Sequence, residues 1–107
     1  MIPNASDEIG KTVREHHALA ALRLLNGEDL RGAANDNLLL SLFTLLGFKI
    51  SHIAMRTLID HLERIGAVGV TRRDKLLVVE LKRHGQEIAE GIIGQEGVAA
   101  LGPDCPY

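Results

Sequence analysis

The feature that most constrains this chain is a change of hydrophobic period at Gly66. Upstream, Met55, Leu58, Ile59, Leu62 and Ile65 recur every one to three positions and form one apolar stripe of a helix running from Ser51 to Ile65. Ser51 is a good N-cap, because its hydroxyl accepts from a free amide of the first turn, and Gly66 suits the left-handed residue that ends a helix. Downstream the pattern changes. Ala67 to Thr71 is a short β-prone run, Arg72-Arg73-Asp74-Lys75 is a polar turn, and LLVVEL at 76–81 is a second strand, so the two runs predict a hairpin. A helix that passes straight into a hairpin leaves few folds open.

The rest of the chain narrows them. A first helix begins near Ser6, with Asp7 and Glu8 favourable at its positive end and Gly10 weakening its first turns. Ile9, Val13, Leu19, Ala20, Leu22 and Leu25 keep helical spacing, and Asn26-Gly27 is a stop signal. Residues 27–36 read as a connection with Leu30 as its anchor. A second helix then runs from Asn35 or Asp36 to Leu46, with leucines 38, 39, 40, 42, 45 and 46 on more than one face, as expected for a helix packed between two neighbours. Gly47 ends it, and Gly-Phe-Lys-Ile separates it from Ser51. A last helix at about 82–93 places Ile88, Ala89, Ile92 and Ile93 inward, and Gly94 and Gly97 break it. The predicted fold class is mainly α with a small antiparallel β-hairpin, in the order of a winged helix-turn-helix. Its parts are an N-terminal extension at 1–13 leading into the first helix, the winged helix-turn-helix domain at 14–94, and an irregular tail at 95–107.

Composition excludes several functions. The chain has 107 residues, enough for one domain with one core. Aromatics are 3%, which leaves no stacking platform for single-stranded nucleic acid. Cys105 is the sole cysteine, so neither an intrachain disulfide nor a CxxC site is expected. Histidines 16, 17, 52, 61 and 84 show no His-x2-His or His-x3-His spacing, and no metal or cofactor is expected. His16 and His17 are expected at the surface or in an interface. No phosphate loop or nucleophile elbow is present, so the protein is not expected to be an enzyme. The start MIPNASDEIG is acidic and lacks the apolar core of a signal peptide. The longest apolar run, 38–48, is too short to cross a bilayer, and a cytoplasmic location without membrane contact is expected.

Charge is unevenly placed. The net charge is −2, yet residues 49–83 hold eight basic and four acidic side chains, while 84–107 hold four acids and no Lys or Arg. A basic middle third inside an acidic chain marks a face suited to phosphates. Within the predicted fold, the 51–65 helix projects its polar side into a major groove, with Arg56 and His52 nearest the bases. Ser51, Thr57 and Lys49 are further candidates for phosphate contact. Arg72, Arg73 and Lys75 form the hairpin tip, placed to grip the backbone. The competing reading of Arg56 is a solvated side chain paired with Asp60 one turn on. The leucine-rich second helix and the long first helix also leave surface for a homodimer.

The stretch LIDHLERIGAVGVTRRDKLLVVEL (58–81) is similar to the recognition helix and wing of arsenic-repressor-like winged helix-turn-helix regulators. More narrowly, REHHALAALRLL (14–25), GFKIS (47–51), the apolar ladder to Gly66 and LKRHGQEIAEGIIGQEGVAALGP (81–103) resemble small winged-helix proteins of Mu-like phages and prophages. The resemblance implies double-stranded DNA as partner and a role as a small transcriptional regulator. Asp60 and Glu63, on the outer side of the presumed recognition helix, together with the acidic net charge, support an alternative: a winged-helix module for protein contact, such as a phage adaptor or assembly factor, without DNA binding.

Overall fold

A computed structural model describes residues 5–107, so the first four residues of the expected 1–13 extension, and that part of the signal-peptide reading, lie outside them. Seven elements follow among the described residues: α1 (Ala5–Asn26), β1 (Ala33–Asn35), α2 (Asp36–Leu45), α3 (His52–Arg64), β2 (Val68–Arg73), β3 (Leu76–Leu81) and α4 (Arg83–Ala89). They build a small α/β domain with a three-stranded antiparallel sheet in the order β1-β3-β2.

The hairpin is as the period change requires. Val68 pairs with Leu81, Val70 with Val79 and Arg73 with Leu76, leaving a two-residue turn at Asp74 and Lys75. Val68 and Val79 lie in the core, on the same face as Val70 and Leu77. The third strand is an addition. Residues 27–36 were expected to be a plain connection, but Ala33, Ala34 and Asn35 pair with Glu80, Val79 and Val78 and cover the open edge of β3.

The core joins α1, α2, α3 and the sheet through Leu19, Leu22, Leu25, Phe43, Met55, Ile59, Leu62, Val68 and Val79. Ser51 caps α3 by accepting from the Ala54 amide at 3.0 Å. Gly47 and Gly66 take φ of 87° and 79°, the left-handed region, where the chain leaves α2 and α3. Two expectations need correction. α2 touches both α3 and the sheet, yet of its apolar residues it buries only Leu39 and Phe43 and leaves Leu38, Leu45 and the cap residue Leu46 exposed, so its leucines do not cover more than one buried face. α4 ends at Ala89, because Gly91 turns the backbone to φ 74°, and Ile92 is 63% exposed rather than inward.

The tail beyond residue 95 is irregular yet anchored. Val98 is buried, and the Ala99 amide donates to the Glu15 carbonyl at 3.0 Å. Arg23 Nε donates to the Tyr107 carbonyl at 2.8 Å, and the Tyr107 hydroxyl meets His16 Nδ1. The Tyr107 ring lies edge-on to Phe48 at 5.5 Å, and Phe48 in turn contacts Phe43 and His17. His17 is therefore half-buried between two rings, and that burial, followed by the charge of His16, pushes it below its ordinary pKa. Tyr107→Ala is expected to cost about 1–2 kcal/mol, read from urea unfolding, since it removes this contact and the packing of the tail. No helix among the described residues is long and apolar enough to cross a membrane.

Candidate nucleic-acid interface

The buried polar cluster among the described residues centres on Asp36, a residue that sequence reasoning treated only as a helix boundary. Asn35 caps α2 by accepting from the Leu38 amide at 2.8 Å, and the next residue turns its carboxylate inward, where it is fully buried. β1 ends at Asn35, opposite Val78, so the amide of Leu77, one residue before Val78 on β3, has no strand partner on the β1 side. Asp36 Oδ1 fills the gap and accepts from the Leu77 N–H at 3.0 Å.

Asp36 Oδ2 serves α3. His52 Nε2 lies 2.7 Å away and Arg56 Nε 3.2 Å away; the two residues are one helical turn apart and present adjacent donors. Arg56 reaches further and donates from Nη2 to the Lys75 carbonyl at 2.6 Å, tying α3 to the hairpin turn. Burial alone would raise the carboxyl pKa. The Leu77 amide, His52 and the charge and hydrogen bond of Arg56 outweigh it and hold Asp36 below its ordinary value, so it is ionised at neutral pH.

This geometry changes the roles assigned to α3. His52 and Arg56 are not aimed outward as base-reading groups but face Asp36, with 43% and 34% of their side chains exposed. Arg56 does not pair with Asp60; Arg64 does, at 3.3 Å. The face opposite the buried Met55, Ile59 and Leu62 is made of Ile53, Thr57, Asp60 and Arg64, all exposed. Of these, Thr57 donates its hydroxyl back to the Ile53 carbonyl at 3.0 Å. Ser51 is occupied as the helix cap.

The hairpin tip is different. Arg72, Arg73 and Lys75 are exposed, as is Lys49 in the turn before α3, and none of the four forms an ion pair among the described residues. Arg72 and Arg73 belong to β2 rather than to the turn, and strand alternation sends them to opposite faces of the ribbon. The tip is thus a cationic knob rather than a one-sided patch. No group of three or more His, Cys, Asp or Glu side chains is placed to hold a metal ion among the described residues. Comparison with protein-family models, with curated proteins and with solved structures found no match.

Proposed function

We propose that this chain is a winged helix-turn-helix domain that binds duplex DNA chiefly through phosphate contacts from its hairpin tip, in the manner of a small phage or prophage regulator. The carrying observation is the set of unpaired, exposed cations Arg72, Arg73 and Lys75 on a hairpin fastened to α3 by the Arg56–Lys75 bond. The element order α1, β1, α2, α3, β2, β3 and the Gly47 turn between α2 and α3 support the same reading. With few base-facing groups on α3, the binding it implies is weakly selective and strongly dependent on salt.

Replacing Arg72, Arg73 and Lys75 together by alanine is expected to flatten the salt slope of duplex binding by about 2–3 while changing stability by less than about 0.5 kcal/mol. Fluorescence anisotropy with a short random-sequence duplex over a potassium chloride series measures the first, and urea unfolding the second. An unchanged affinity and slope would remove the tip from the interface.

A second reading has its own observation. Ile53 and Leu45 are 80% and 82% exposed, and a groove of about 540 Å³ between α1 and α3 combines the apolar Ile50, Ala54 and Leu58 with charged side chains of both signs, Lys11, Arg64 and Glu96 among them. Apolar surface of this kind suits a protein partner better than phosphate. A chain that ignores duplex DNA at every salt concentration is the outcome that favours this adaptor role.

A further inference from the structure

Each basic side chain of α3 has a partner inside the molecule. Arg64 is held by Asp60, His61 Nε2 lies 3.4 Å from the Gly97 carbonyl, and His52 and Arg56 close on Asp36. Among the basic side chains of α3, only Arg56 and His52 are tied to a fully buried partner; Arg64 pairs with Asp60 at the open surface, and the hairpin tip beside the helix offers three exposed cations without an ion pair among the described residues. We infer that Asp36 is an internal competitor for duplex phosphate: it withholds Arg56 from DNA, and α3 engages a duplex only when the Asp36–Arg56 contact opens. The inference rests on the duplex-binding reading above and adds its regulation.

Three features of the contact fit an exchange. Carboxylate and phosphate are the same class of acceptor for a guanidinium, so one replaces the other without new chemistry. Asp36 is fully buried and fixed by the Leu77 amide, whereas Arg56 is one-third exposed on a flexible stem, so only the arginine has to move. The carboxylate also takes three donors, from Leu77, His52 and Arg56, so it keeps two when Arg56 leaves and is never stranded without a partner. The same movement breaks the bond from Arg56 to the Lys75 carbonyl and frees the hairpin tip. Phosphate contact on α3 and adjustment of the wing are thereby one event.

The test uses the full chain, a short random-sequence duplex and the salt series above, with thermal unfolding by circular dichroism to establish that each variant is folded. Asp36→Asn keeps an acceptor for the Leu77 amide but gives up the charge that holds Arg56. It is expected to bind roughly tenfold tighter than wild type, with a salt slope steeper by about 1, the signature of one added phosphate contact. Adding Arg56→Gln to Asp36→Asn is expected to cancel that gain. Asp36→Ser, which also gives up the charge that holds Arg56, is expected to show the same gain, which decides the matter if Asp36→Asn does not fold. A folded Asp36→Asn or Asp36→Ser that binds no better than wild type overturns the inference. If wild type binds no duplex but Asp36→Asn does, the tip reading fails and the withheld arginine stands; if neither binds, both fail.

Discussion

Asp36→Ala is expected to remove about 2–4 kcal/mol from the free energy of unfolding, a large share for a domain of this size. The loss has identifiable parts. The Leu77 N–H is inside the sheet and has no other acceptor once the carboxylate is gone, which costs about 1–3 kcal/mol for an unsatisfied buried donor. Removing a negative charge from the first residue of α2 adds about 0.3–1 kcal/mol through the helix dipole. Arg56 and His52 limit the damage, because both are partly exposed and turn to water, so no cation is left buried and alone. The pH dependence has a definite sign. The Asp36 carboxyl titrates below its ordinary value in the folded chain, so its contribution is complete above about pH 4 and is lost as pH falls through that lower folded value. Urea unfolding of wild type and variant at neutral and acid pH should therefore converge as the solution is acidified. A gap that stays constant down to the acid limit would show that the charge of Asp36 contributes nothing.

The distinction between what the sequence discloses and what it hides follows sequence distance. The change of period at Gly66, the Ser51 cap and the pairing of 67–71 with 76–81 are local patterns, and the helix and hairpin form where those patterns lie. β1 is invisible by the same logic. Ala33, Ala34 and Asn35 have little intrinsic strand preference and become a strand only because β3 offers an open edge. The Asp36 cluster is harder still, since its donors lie 16, 20 and 41 residues along the chain. A carboxylate after an N-cap asparagine reads as a helix start, and it is one; nothing nearby tells that it also faces inward. For this reason His52 and Arg56 look like an outward pair on a helical wheel while the fold turns them toward a partner on another element. The cations of the tip were legible as charge. Their divergence was not, because it depends on the hairpin turn being two residues rather than four.

Gly85→Ala is expected to destabilise the domain by about 2–3 kcal/mol, against the usual gain of about 1 kcal/mol when alanine replaces glycine in a helix. Gly85 is a buried residue of α4 and does not adopt positive φ, so the backbone itself would accept alanine. The obstacle is packing. A Cβ at this position would overlap the Ala67 carbonyl oxygen and press on Leu81 Cδ1 at 2.8 Å. That carbonyl cannot retreat freely, because it accepts from the Lys82 amide at 3.0 Å, and the Ala67 amide in turn donates to the Leu62 carbonyl at 3.0 Å. Ala67 sits at the junction of α3 and β2, so the clash is relieved only by tilting α4 away from the sheet or by shifting the hairpin against α3. Gly94→Ala is the matched control, since a Cβ there meets nothing within 4 Å and the residue is not in the left-handed region. Thermal and urea unfolding should place Gly94→Ala within about 0.5 kcal/mol of wild type and Gly85→Ala well below both. Equal stability of the two variants would mean that α4 is free to move off Ala67, and that the junction does not fix the hairpin in place.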